Sequence, residues 1–119
     1  MQLPGEFAPP RGRLLLALTD TLVAGCACLH DAGDGVCEVR RLYVRPKARG
    51  LGVGQALLTT LIDEARTIGY IRMRVELLNE MLSARALLDA VGFVQTAPYR
   101  PLTSEDDRTT CMALALHIR

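Results

Sequence analysis

The sequence predicts an α/β domain built on a mixed, mostly antiparallel sheet with two main helices. Three observations predict it. Two stretches carry apolar residues at helical spacing, and each is bracketed by short apolar or alternating runs, the pattern of strand–helix–strand crossovers. The runs before the first crossover are separated by turn residues, as hairpins are. The chain has 119 residues, of which 50% are hydrophobic, enough for one core and too few for two. Residues 1–119 are therefore expected to form a single domain.

Taken in order, residues 1–12 hold Pro4, Gly5, Pro9, Pro10 and Gly12 and read as an irregular lead-in. Arg13–Leu18 is a short apolar run, expected to be a buried strand. Asp20-Thr21 turns the chain into a hairpin partner at Leu22–Leu29, and His30–Gly35 is expected to be a turn. Val36–Val44 alternates, with Glu38, Arg40, Leu42 and Val44 assigned to one face and Val39, Arg41 and Tyr43 to the other. Pro46 ends this strand. From Val53 the apolar spacing becomes helical up to Ile68, and Gly69 is placed to cap it. Ile71–Leu78 alternates again. Ser83–Val91 reads as a second helix closed by Gly92. Phe93–Thr96 is a short strand, Ala97–Arg108 a polar loop containing Glu105-Asp106-Asp107, and Cys111–His117 the last strand.

Composition excludes several function classes. No apolar run approaches the roughly 20 residues that span a bilayer, and the start lacks the basic and apolar pattern of a signal peptide. A membrane role is not expected, and a cytoplasmic location is. The formal net charge of +1 argues against general nucleic-acid binding, which needs a broad basic surface. Cys26, Cys28, Cys37 and Cys111 match no zinc spacing, so no metal is expected, and they read as buried thiols of a reducing compartment.

The chemistry is concentrated between Leu42 and Leu58. A strand runs through a basic stretch, Arg45, Lys47 and Arg49, into Gly50, Gly52 and Gly54, and a helix opens directly behind. Glycines let the backbone aim its N–H groups at one point, and the helix start adds unpaired donors and the positive end of its dipole. The expectation is a phosphate or pyrophosphate site. A P-loop would need Lys-Ser or Lys-Thr after the last glycine, where Gln55-Ala56 stands. The dinucleotide fingerprint fails from Gly50 and from Gly52, its last glycine falling on Gln55 and Leu57.

What fits is Arg49-x-x-Gly52-x-Gly54, which resembles the pyrophosphate loop of the GNAT N-acetyltransferases. Cys37–Pro46 looks like that family's fourth strand, and Ala84–Phe93 like its Ala-Leu-Tyr helix running into Gly-Phe. The resemblance spans about residues 13 to 117, with an acyl-CoA core at 37–93. It implies a GNAT fold, shortened at the front because about a dozen residues precede the first strand where the family usually has a strand and two helices. It also implies that the pyrophosphate of acetyl-CoA sits on the amides of Arg49, Gly50, Gly52, Val53, Gly54 and Gln55. The pantetheine arm would lie along Leu42, Tyr43 and Val44, where a backbone N–H can polarise the thioester carbonyl.

Glu38 matches the glutamate used as general base in some members of the family; the alternative is a structural glutamate paired with Arg40 or Arg72. The family's usual tyrosine, which protonates the departing thiolate, is replaced by Leu88, so Tyr99 or Tyr43 is a candidate substitute. The family's frequent asparagine falls on Met81, with Asn79 two residues early. Two functions stay open at this point: transfer of acetyl from acetyl-CoA to a primary amine of a small molecule or peptide, or acyl-CoA binding with little transfer. A nucleotide-binding structural domain is a third. Either the acceptor side is left open at the front or a second subunit supplies the missing wall, and an exposed sheet edge there would favour a homodimer.

Overall fold

The computed structural model describes residues 12–18, 23–98 and 108–116. The lead-in before Gly12, the turn at Asp20-Thr21, Tyr99 and the acidic loop at Glu105-Asp106-Asp107 lie outside the described residues. Six strands and two helices follow one another as β1 (Arg13–Leu18), β2 (Val23–Gly33), β3 (Val36–Val44), α1 (Val53–Ile68), β4 (Arg72–Leu78), α2 (Leu82–Val91), β5 (Val94–Thr96) and β6 (Thr109–Ala115). A single-turn 3₁₀ helix at Pro46–Ala48 precedes the glycine turn. The strands form one sheet in the order β1-β2-β3-β4-β6-β5. β3 and β4 run parallel, joined by α1, and the other pairs are antiparallel. The expected mixed, mostly antiparallel α/β architecture is what forms.

Both helices lie on one face of the sheet. α1 buries Leu57, Leu58, Leu61, Ile62 and Ala65 against Ala27, Leu29, Cys37, Val39, Met73 and Val75, and α2 adds Leu88 to the same core. Gly69 and Gly92 end the helices in the left-handed conformation, at φ 109° and 112°, the geometry that favours glycine past a helix end. Arg13 Nε reaches Glu64 Oε2 at 3.0 Å and ties the edge strand to α1. The four cysteines are free thiols, three of them buried.

Besides β1, which is an edge strand with Leu16 and Leu18 exposed and not a buried strand, the structure corrects the sequence reading in two places. The segment His30–Gly35 is not all turn: β2 continues to Gly33, and the reversal is the pair Asp34-Gly35, at φ 54° and 77°. Two central residues with positive φ make the twisted hairpin turn that Asp-Gly favours. The second correction concerns β3. Cys28 pairs with Arg40, but Cys26 pairs with Tyr43, so β3 carries an extra residue there, and Arg41 takes φ 55°. This bulge flips the alternation. Leu42 packs on the core beside Val39, while Tyr43 joins Glu38 and Arg40 on the opposite face.

Candidate active site

The glycine turn is built by its backbone. Arg49 Nε donates to Val44 O at 3.1 Å, folding the loop back on the end of β3. Gly50 and Gly52 sit at φ 83° and 79°, and a Cβ on either would meet nothing within 4 Å. Their side is open, so glycine is required there by conformation and not by crowding. The first helical bond in α1 is Ala56 N to Gly52 O, 3.0 Å, which leaves the amides of Val53, Gly54 and Gln55 ahead of the hydrogen-bond ladder. No side chain caps this end and no acid stands in its first turn. With Arg45, Lys47 and Arg49 exposed alongside, the turn is suited to a pyrophosphate. Gly54 has another reason. Its Cβ would approach Leu87 Cδ2 to 3.1 Å, so it lets α1 and α2 meet.

A cleft opens in the sheet between β3 and β4. β3 and β4 pair only through Val36, Cys37 and Glu38 with Arg72, Met73 and Arg74. Beyond that they splay. The gap holds a cavity of about 320 Å³ lined by Val39, Arg41, Leu42, Val75, Leu77, Met81, Ala84 and Leu88, with Glu38, Arg40 and Glu76 as polar wall. On the side that faces β4, the backbone of β3 after Glu38 pairs with no strand among the described residues. An extended chain can add there by main-chain hydrogen bonds. Leu42 lines this cleft, while Tyr43 and Val44 carry the strand on to the glycine turn. Cys26 Sγ donates to the carbonyl of Arg41 at 3.5 Å, holding the bulge where the cleft widens.

Glu38 stands at the fork where pairing stops. Its carboxylate lies 3.4 Å from Arg40 Nη2 and 3.6 Å from Arg74 Nη2, with the side chain 13% exposed. The expected alternative partners were Arg40 or Arg72; the parallel register puts Arg74, not Arg72, opposite Glu38. Sequence reasoning missed Arg74 because register across a crossover leaves no local signal. Met81, Ala84 and Glu76 were missed as cleft residues for the same reason.

Leu88 is 1% exposed and lines the cleft, so an apolar side chain occupies the position that resembles the family's tyrosine. Tyr43, 50% exposed, lies on the other face from Leu42 and is not among the residues lining the cleft. Asn79 has a structural place: its backbone N–H donates to Arg108 O at 2.7 Å, and the Thr110 hydroxyl donates to its Oδ1, clamping the turn before α2 to β6. Among the described residues no group of His, Cys, Asp or Glu is placed to hold a metal, and no helix is long and apolar enough to cross a membrane.

The sequence profile described as the acetyltransferase (GNAT) family matches residues 2–93. The chain belongs to the GNAT acetyltransferase family. An uncharacterized N-acetyltransferase of Schizosaccharomyces pombe is 38% identical over 96 residues, covering 79% of this chain and 59% of the relative. The chain therefore spans less than two thirds of that relative's length. Among solved structures, a Klebsiella pneumoniae protein named an acyl-CoA N-acyltransferase superposes with a TM-score of 0.84 at 25% identity, covering 98% of this chain and 77% of that one. A Salmonella typhimurium protein named an acetyltransferase, crystallised with its cofactor acetyl-CoA, gives a TM-score of 0.73 at 29% identity, covering 91% and 66%. These GNAT neighbours have the fold described above.

Proposed function

We propose that the chain transfers the acetyl group of acetyl-CoA to a primary amine by direct attack within the splay between β3 and β4. The observation that carries this reading is the continuity of the site. β3 runs from a carboxylate, along a 320 Å³ cleft with unpaired strand backbone, and on toward an open, uncapped glycine turn. The amides of Arg49, Gly50, Gly52, Val53, Gly54 and Gln55 would hold the pyrophosphate, and Leu42, Tyr43 and Val44 would hold the pantetheine arm. Acetyl-CoA supplies the activated thioester.

Glu38 takes the general-base role. An alkylammonium group has a pKa near 10.4 and must lose a proton before it can attack. Glu38 accepts that proton, the amine nitrogen bonds to the carbonyl carbon, the carbon–sulfur bond breaks to release the thiolate, and the nitrogen's second proton passes to solvent or to the thiolate. With leucine at position 88, the position that resembles the family's tyrosine has no hydroxyl to donate to the departing sulfur. A thiol of pKa about 8.5 leaves passably as the thiolate, so transfer is slowed and not forbidden. Tyr99 remains a candidate donor. Calorimetric titration with acetyl-CoA, with ATP and NAD as controls, tests the site, and an amine screen then tests turnover. Absence of acetyl-CoA binding by folded protein would overturn the reading.

Leu88 favours a second reading, an acyl-CoA-binding module with little transfer. Tight binding without turnover of any amine would select it. A cytoplasmic setting accords with four free thiols. A homodimer accords with β1, an edge strand on which Leu16 and Leu18 are exposed. Light scattering that finds monomer at micromolar concentration would remove the dimer.

A further inference from the structure

A second cavity lies beside the fork, outside the cleft. It measures about 280 Å³ and is lined by Val36, Arg72, Arg74, Thr96, Ala97 and Ala113. Its place follows from the register. Arg72 and Arg74 alternate with the core residues Met73 and Val75 on β4, so both point to the face that the helices do not cover. Their neighbours on β6 are Ala115 and Ala113, and those small side chains leave volume above the sheet. Thr96 closes the far wall, with its hydroxyl donating to Ala97 O at 3.1 Å. Among the described residues, every charged group lining the cavity is a guanidinium.

The charged groups that line it are Arg72 and Arg74. Glu38 stands at its edge, between Arg40 and Arg74. Arg72 sits one pleat further along β4, exposed, with no carboxylate in the lining. Two arginines two residues apart on one strand face repel unless an anion joins them, and a planar guanidinium is built to grip a carboxylate or phosphate through paired N–H donors. The cavity and the proposed base share Arg74. A small molecule whose anionic group occupied the cavity would therefore have its other end within reach of Glu38 and the mouth of the cleft.

We propose that this cavity is the acceptor subsite and that it selects amines bearing an anionic group, with Arg72 and Arg74 as the specificity determinants. This rests on the acetyltransferase reading of the cleft. An amino acid carboxylate and an aminoalkyl phosphonate present the same chemistry, and the test separates them.

The experiment compares matched acceptors with acetyl-CoA: 4-aminobutyrate against butylamine, whose amines differ little in basicity, and 2-aminoethylphosphonate against ethylamine. The expected result is a higher kcat/KM for the anionic member of at least one pair, and the pair showing it identifies the anion. Arg72→Gln is expected to erase most of that preference, about ten- to a hundred-fold, through KM and with little change in kcat, as for loss of a hydrogen bond to a charged group. Arg72→Lys should restore part of it. Because Arg72 is exposed, the variant should fold. Equal use of charged and neutral amines, or a preference untouched by Arg72→Gln, would overturn the inference while leaving the acetyltransferase reading intact. If no amine is turned over, the same pairs are titrated onto CoA-saturated protein. Binding of the anionic member that weakens in Arg72→Gln supports the subsite, and equal binding of both members overturns it.

Discussion

Glu38 and Leu88 set the chemical character of the cleft in opposite ways. Glu38 brings a carboxylate to the fork, held between two arginines at 3.4 and 3.6 Å. Glu38→Gln keeps the shape and removes the proton acceptor. If Glu38 is the base, turnover should fall about a hundred-fold or more with acetyl-CoA affinity nearly unchanged, as read by steady-state kinetics beside calorimetry. Unchanged turnover would return Glu38 to a purely structural role. Leu88 is buried at the junction of α2 and the cleft, so Leu88→Ala should cost about 2–5 kcal/mol in chemical denaturation. Both positions were visible in the sequence, because the motifs around them are local. What each touches was not.

The glycine turn and the bulge are the two elements that aim the backbone. Gly52 is the residue before the first turn of α1, at φ 79° and facing open space. Gly52→Asp should fold with a penalty of about 1–2 kcal/mol for the left-handed conformation. It should also weaken acetyl-CoA binding by ten-fold or more, because a carboxylate takes the place proposed for the pyrophosphate. Calorimetry on the folded variant checks this, and retained affinity would move the pyrophosphate elsewhere. The bulge in β3 depends on Gly25 across the ladder, where a Cβ would stand 2.6 Å from Tyr43 O. Gly25→Ala should destabilise by about 1–3 kcal/mol, as overpacking does, with the loss read from the denaturation midpoint. The glycine turn was legible because its residue types and order are specific. The bulge was not, since Arg41 carries no mark of a left-handed residue.

At the scale of the molecule, the cleft exists because one parallel pair holds for three residues and then opens. α1 and α2 keep it open by packing on the same face, with Gly54 against Leu87. A ligand lying between both strands and on the start of α1 joins parts that otherwise touch only through the core. Acetyl-CoA at a hundred times its dissociation constant should add about 2.7 kcal/mol and raise the unfolding temperature by several degrees. A thermal scan with and without ligand reads this shift. No shift would mean the ligand does not bind the folded state.

The order of strands and helices, the helix ends at Gly69 and Gly92, and the glycine turn at Gly50–Gly54 were legible in the residues alone. Each is a local matter of periodicity, backbone freedom or unpaired amides, which neighbouring residues settle among themselves. That Arg74 faces Glu38, that Leu42 and Tyr43 exchange faces, and that Arg72 and Arg74 share a cavity with Thr96 follows from the folded sheet alone. Those relations join residues far apart in the chain through strand register. Register is fixed by the packing of the whole sheet against α1 and α2.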